Sequence, residues 1–317
     1  MPPTFKDSLD KTKLLLLNEA KKNPESPICK LTSNHDIFKH IFDGITQEHK
    51  DKAKHIIADQ NSYCICSKMF PHIRLPQPMF PSGTDININM MPIQLTDFDQ
   101  WNHPLLDYLN GYKHLIAYCI HLQKGGWYYD SYNNKKPKIG YLTIHESWVQ
   151  PAQTQRRPGV HIESPKGHGT IIHQPDCKTI DGLEAYYNSK WRSISWGNGT
   201  YSGDQIQDGI YIASNVDDMA KFFPFRVENS EEFTDRHGGI EDFREYLGDG
   251  ELMKKDTVYW ITDKTPHESL PNPTDKPIYR QFFRLVVGPV DVWYSQHNTP
   301  NPLGIQPDAQ IVHYNKF

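Results

Sequence analysis

Two kinds of hydrophobic spacing divide the chain near residue 125. Before it, apolar positions recur at helical intervals. In HDIFKHIFDG, Ile37, Ile41 and Phe42 make an apolar stripe that Ser33 or Asn34 can cap and Gly44 stops. Thr46 opens a second segment, QEHKDKAKHIIADQ, whose buried side is Ala53, Ile56 and Ile57. A third run, HPLLDYLNGYKHLIAYCIHLQKGG, repeats the spacing at Leu105, Leu109, Tyr112, Ile116 and Ile120. Asn102 can cap it and Gly125-Gly126 end it, which predicts a helix long enough to brace one face of a sheet. Between these segments, residues 70–92 show no period and carry too many prolines for a helix interior, so they are expected to be extended or looped.

After residue 126 the pattern shortens. Runs rich in Tyr, Trp, Ile, Val and Thr (GWYYDSY, KIGYLTIHESWVQ, GVHIES, GTIIHQ, GIYIASNV, DTVYWIT, IYRQFFRLVVG, VDVWYS) alternate with Gly, Pro and Asn turns. Many short strands at such spacing predict a sandwich or a barrel. One stretch interrupts them: residues 217–247, with DDMAKFF and EEFTDRHGGIEDFREYLG, read as helical turns outside the barrel. No internal repeat or low-complexity segment is visible. The expectation is one domain over residues 1–317, mainly β with flanking helices: a helical layer over 1–125 packed on a β core over 126–317.

Composition narrows the class. Of 317 residues 37% are hydrophobic, 12% aromatic and 23% charged, the profile of a globular chain with a substantial core. A formal charge of −4, with no Lys/Arg stripe, gives no reason to expect a nucleic-acid partner. The N-terminal run of four leucines between charges is too short for a signal core or a membrane span. Cys29, Cys64, Cys66, Cys119 and Cys177 are odd in number and scattered, and Cys64-Ile-Cys66 has one residue where zinc and redox motifs have two or more. Free thiols and a cytoplasmic location are expected.

Candidate chemistry concentrates in the β-rich part. The chain has 16 histidines, so a single one carries little weight. In Arg157-Pro158-Gly159-Val160-His161-Ile162-Glu163-Ser164-Pro165, a His and a carboxylate two apart on a strand share a face and can reach one metal ion. In Asp263-Lys264-Thr265-Pro266-His267-Glu268-Ser269-Leu270-Pro271, a His just past a strand is fenced by two prolines, which suits a rigid metal ligand. In IYRQFFRLVV, Arg280 and Arg284 project from one face of an apolar strand. A guanidinium aimed into a core is costly unless it meets an anion, and a carboxylate satisfies it through two parallel bonds.

The order His-x-Glu, distant His, then Arg on a following strand resembles the Fe(II)/2-oxoglutarate-dependent oxygenases, over roughly residues 139–290. The resemblance implies a double-stranded β-helix (jelly-roll, cupin-like) core braced by the N-terminal helices. It implies Fe(II) held by His161, Glu163 and His267, with Glu163 where most members carry Asp. It also implies 2-oxoglutarate as co-substrate, its far carboxylate on Arg280 or, as runner-up, Arg284. Molecular oxygen and a small molecule or amino-acid-type substrate would be the reacting partners, with no membrane involved. Arg156, Arg157 and Trp148 are candidates for substrate contact.

Other groups rank lower. His145 and Glu146 are adjacent and face opposite sides of a strand. His168, His173 and Asp176 read as loop residues lining an entrance. Trp191, Trp196, Tyr211 and Trp260 read mostly as core. Phosphate-cradling glycine loops and the G-x-S-x-G elbow are missing from the sequence. Two alternatives stand beside the oxygenase: a metal-dependent cupin enzyme that needs no 2-oxoglutarate, and a non-catalytic jelly-roll module whose His161 and Glu163 are ordinary strand residues.

Overall fold

A computed structural model describes residues 9–16, 35–53, 56–58, 63–65, 80–95, 106–123, 138–164, 194–202, 205–228, 234–235 and 237–313. Residues 9–16 are helical. The order then runs α1 (His35–Ala53), β1 (Ile56–Ala58), β2 (Tyr63–Ile65), β3 (Asn87–Leu95), a 3-10 turn (Asp107–Tyr112) and α2 (Lys113–Leu122). Next come β4 (Lys138–Val149), β5 (Gly199–Ser202), β6 (Gln205–Asp208), β7 (Ile210–Ser214), β8 (Ala220–Phe222) and β9 (Phe225–Val227). A second 3-10 turn (Glu241–Tyr246) precedes β10 (Glu251–Leu252), β11 (Tyr259–Ile261), β12 (His267–Ser269), β13 (Ile278–Val286), β14 (Val292–Tyr294) and β15 (Gln310–Val312). The described residues are thus mainly antiparallel sheet with few helices. Among the described residues, no helix is long and apolar enough to cross a membrane.

The principal sheet has six strands in the order β2-β11-β7-β13-β4-β3. Its spine is the β4–β13 pair, in register from Ile278↔Val149 to Val286↔Tyr141. Period-two alternation gives this sheet two different faces. On one, Phe283, Leu285, Leu142 and Ile144 pack against Leu109, Tyr112, Ile116 and Cys119 of the first 3-10 turn and α2. The expected apolar stripe and its bracing role are therefore present, and Cys119 is a buried free thiol. The opposite face carries Arg280, Phe282 and Arg284, and looks into a cavity shared with β8 and β12. Those two strands, with β10, form a three-stranded sheet ordered β10-β8-β12.

A buried polar cluster holds the register of the spine. Glu146, on the helix side of β4, accepts bonds from Tyr112 Oη at 2.5 Å and Gln281 Nε2 at 2.8 Å. It also accepts from the amides of Thr84 at 2.7 Å and Ile86 at 3.0 Å. Burial alone would raise its pKa, but these donors outweigh that and hold it below the ordinary glutamate value. A depressed folded pKa adds stability above the unfolded value, and that stability is lost as pH falls through the folded one. Glu146→Gln should therefore lower stability at neutral pH and flatten the acid limb below about pH 4.5, as read by urea denaturation at several pH values.

Gly209 makes the tight link between β6 and β7. Its φ is +87°, and a Cβ there would lie 2.2 Å from Trp260 Nε1. That indole donates to Asp208 O at 2.8 Å. Gly209→Ala should cost about 3 kcal/mol, from left-handed strain plus displacement of a buried Trp, measured by the same denaturation.

Several expectations need correction. Gly44 does not stop a helix: α1 runs through it to Ala53, the roughly 1 kcal/mol penalty of an interior glycine being outweighed by continuity of the flanking turns. Ile56 and Ile57 are not helical, since Ile56–Ala58 pairs antiparallel with Phe225–Val227. The third helix begins at Lys113 after a 3-10 turn, so Gly111 precedes it. Residues 217–247 are not a helical insertion: β8 and β9 fall within them, and only Glu241–Tyr246 forms a helical turn there among the described residues. In Ala220-Lys221-Phe222 the buried residues flank a half-buried lysine, which is strand spacing. GVHIES makes only isolated bridges, both at His161, to Gly239 and to His267. GWYYDSY, GTIIHQ, Asn102, Gly125-Gly126, Cys29, Cys66, Cys177, His168, His173, Asp176 and Trp191 lie outside the described residues.

Candidate active site

Between the two sheets lies a cavity of about 350 Å³, lined by side chains of β3, β4, β7 and β13 on one wall and of β8, β12 and the 155–163 segment on the other. That volume falls in the range of small-molecule sites. Seven sequence-predicted residues line it: Arg156, Arg157, His161, Glu163, His267, Arg280 and Arg284.

Backbone pairing brings the two histidines together. His161 N–H donates to His267 O at 3.0 Å, and His267 N–H donates to His161 O at 2.9 Å. Their ring centroids stand 4.6 Å apart. Each Nδ1 lies against the carbonyl two residues before it, Gly159 O at 2.8 Å and Thr265 O at 2.9 Å. A carbonyl only accepts, so Nδ1 is the protonated donor in each ring, and Nε2 is the position left for a metal ion. Burial, then the neighbouring His267, pulls the His161 pKa well below the ordinary value, which keeps that ring neutral.

Glu163 completes the group from a bend two residues beyond His161. Its Oε1 lies 3.7 Å from His267 Nε2 and contacts Arg284 Nη1. Arg284 in turn reaches Thr143 Oγ1 at 3.4 Å. Two imidazoles with tethered Nδ1 atoms and one carboxylate form a donor set suited to a first-row divalent cation such as Fe(II). The set is open as it stands: adjacent ligands about 2.1 Å from one ion sit roughly 3 Å apart. Consistent with that, no group of three or more His, Cys, Asp or Glu among the described residues is close enough to cage an ion. The donor types and their tethers fit the ion; closing it requires Glu163 to share its carboxylate between the ion and Arg284.

Arg280 differs from Arg284. It is fully buried, and its closest polar contacts are long ones, Ser269 Oγ at 3.4 Å and Ser214 Oγ at 3.5 Å. Its Nη2 has no partner, and no carboxylate among the described residues pairs with it. Burial, then repulsion from Arg156, pulls its pKa down to about 9, which leaves it cationic at neutral pH. A buried guanidinium in that state requires an anion.

The remaining candidates separate. Arg156 and Arg157 line the cavity, but Arg157 donates to His237 O at 2.6 Å and stands 3.8 Å from Asp235. Trp148 is not brought to the cavity: its side chain is 65% exposed and packs edge-on against Tyr279. Trp196, Tyr211 and Trp260 are core. His145 faces the cavity while Glu146 points the other way, as alternation requires.

Sequence reasoning missed Asn87, Asn89, Gln155 and Phe222 on the cavity wall, and set His145 aside. Alternation along β4 from Thr143 would have put His145 on the arginine face. For Asn87 and Asn89 the usable signal was the ININ repeat, although a register shift between Ile88 and Met91, with Met90 at φ +49°, interrupts simple alternation.

No protein-family model and no curated protein matches the chain. Among solved structures, HygX from Streptomyces hygroscopicus with iron bound superposes with a TM-score of 0.22 at 10% identity, over 47% of this chain and 56% of that one. HygX with nickel and 2-oxoglutarate bound gives 0.22 at 11% over the same shares. HygX with nickel, 2-oxoglutarate and hygromycin B bound gives 0.22 at 10% over 46% and 54%. The chain thus spans little more than half the length of HygX. A superposition that shallow fixes neither a fold nor an activity.

Proposed function

We propose that this chain is a single-domain Fe(II)- and 2-oxoglutarate-dependent oxygenase of the double-stranded β-helix type, acting on a small molecule. One observation carries the reading: two imidazoles with tethered Nδ1 atoms and a carboxylate converge on one side of a cavity whose other wall presents a buried guanidinium without a counterion among the described residues. His161, His267 and Glu163 would hold the iron. With iron and 2-oxoglutarate bound, the site would supply oxidation of a C–H bond to C–OH by O2, one oxygen atom going to the substrate and the other to the succinate formed as 2-oxoglutarate loses its C1 carboxylate as CO2.

The chain's own residues account for the rest. Gly159 O and Thr265 O fix the tautomer and aim of the two rings. Arg284 holds Glu163 in place and is itself steadied by Thr143. Arg280 anchors the far carboxylate of 2-oxoglutarate through a bidentate contact. Phe222, Ile212 and Phe282 give an apolar surround that excludes water and strengthens those charge contacts.

The test is an anaerobic titration. Protein stripped of metal and reloaded with Fe(II) should bind one equivalent, and 2-oxoglutarate should then produce a weak visible charge-transfer band. No metal uptake would leave a jelly-roll binding module; metal uptake with no response to 2-oxoglutarate would leave a cupin-type enzyme.

A further inference from the structure

The cavity holds more positive charge than one co-substrate answers. Glu163 is matched by Arg284, and Glu268, also on the wall, is matched by Arg244 through bonds of 2.9 Å and 2.7 Å. Arg157 is engaged by Asp235 and His237 O. Two guanidiniums remain. Arg280 has an orphaned Nη2, and Arg156 makes neither a hydrogen bond nor an ion pair to any described residue. Both stand by one ring: Arg156 Cζ is 5.1 Å and Arg280 Cζ 5.5 Å from the Phe282 centroid. Aromatic contact softens the cost of a partly desolvated cation but does not neutralise it.

Glu163 attracts Arg156 across the cavity, but that carboxylate is already bonded to Arg284. His145 lies beside both arginines, and burial followed by their repulsion lowers its pKa, so it stays neutral and adds no charge. Gln155 sits between these groups with its amide nitrogen given to His145 O, Ser147 Oγ and Arg280 O. Its Oε1 is buried without a partner. Neighbouring Gln155 in sequence, Arg156 thus belongs to a segment anchored to β4 and β13 by side-chain bonds.

We infer that Arg156 is a second anion-binding position, distinct from Arg280, and that the substrate is a small anion whose carboxylate or phosphate pairs with it while 2-oxoglutarate is held by Arg280. This rests on the proposed function for the role of Arg280, but not for the existence of the Arg156 position. A guanidinium recognises carboxylate and phosphate alike through paired N–H donors, so the two sources are separated by the probes used. Arg156 is preferred to Arg157 because the latter already has acceptors.

The test is isothermal titration of the full chain at low ionic strength, loaded with Mn(II) and saturated with 2-oxoglutarate, using inorganic phosphate in one arm and benzoate in the other. One further anion should bind per chain, and the arm with the tighter binding names the group. Arg156→Gln should weaken that binding at least tenfold while changing 2-oxoglutarate affinity less than threefold; Arg156→Lys, which keeps the charge, should restore part of it. Arg280→Gln should do the reverse. Folding of each variant is checked by circular dichroism, and Arg156→Gln, which removes a cation from a positive cluster, should melt no lower than the parent. Absence of a second anion in both arms, or second-anion binding that Arg156→Gln leaves unchanged, would overturn the inference. Phosphate held through Arg156 in protein that fails to bind 2-oxoglutarate would support the anion position and remove the oxygenase reading instead.

Discussion

Protein carrying His267→Ala is expected to emerge from anaerobic Fe(II) loading without iron, its affinity reduced by at least about a thousandfold. Loss of an outer partner of a metal ligand already costs 10- to 100-fold, and His267 would be a direct ligand. The fold should survive, because the two backbone bonds between His161 and His267 do not involve the side chain. The expected readout is iron content after desalting, with His145→Ala as the control that keeps its metal. His145 shares the cavity but lies in the β4 wall with the arginines, not with the three donors. Iron retained by His267→Ala would mean that the ion sits elsewhere.

Arg280→Gln should leave iron content unchanged and weaken 2-oxoglutarate binding by about two to three orders of magnitude. That is the scale on which one partner of a buried charge pair, worth 2–5 kcal/mol on truncation, registers in an affinity. A second consequence has the opposite sign. With no ligand bound, Arg280 is a fully buried cation whose partners among the described residues are two long serine contacts and the Phe282 ring, so removing its charge should raise the melting temperature of the ligand-free protein. Addition of 2-oxoglutarate should then stabilise the parent chain and not the variant. A variant that loses both iron and stability would make Arg280 a structural residue.

How far the sequence carried these assignments depends on what kind of pattern each residue obeys. Arg280 and Arg284 were readable as a pair on one face because β13 is a regular nine-residue strand, where alternation is strict. Which of the two is free was not readable. That depends on Glu163 meeting Arg284, a contact across 121 positions. His161 and Glu163 were assigned to one face by strand alternation, yet only His161 makes a bridge and Glu163 lies in a bend. Their convergence with His267 comes from pairing between segments over a hundred residues apart.

The misread stretch has a similar cause. Residues Met219 to Phe223 form a short aromatic run preceded by two acids, a composition compatible with either period, and the pairing of β8 with β12 decides it. Its consequence reaches the site, since that pairing places Ala220 and Phe222 on the cavity wall opposite β13. Gly44 illustrates the converse. Local propensity argued for a stop, but one glycine is a weak penalty against a helix that continues on both sides.

The most direct test is to crystallise the chain with Mn(II) and 2-oxoglutarate and locate the metal by anomalous diffraction. One peak bonded to Nε2 of both His161 and His267 and to a Glu163 oxygen, with the far carboxylate of 2-oxoglutarate on Arg280, is the predicted result. A peak away from those three side chains, or none at full Mn(II) occupancy in solution, would contradict it.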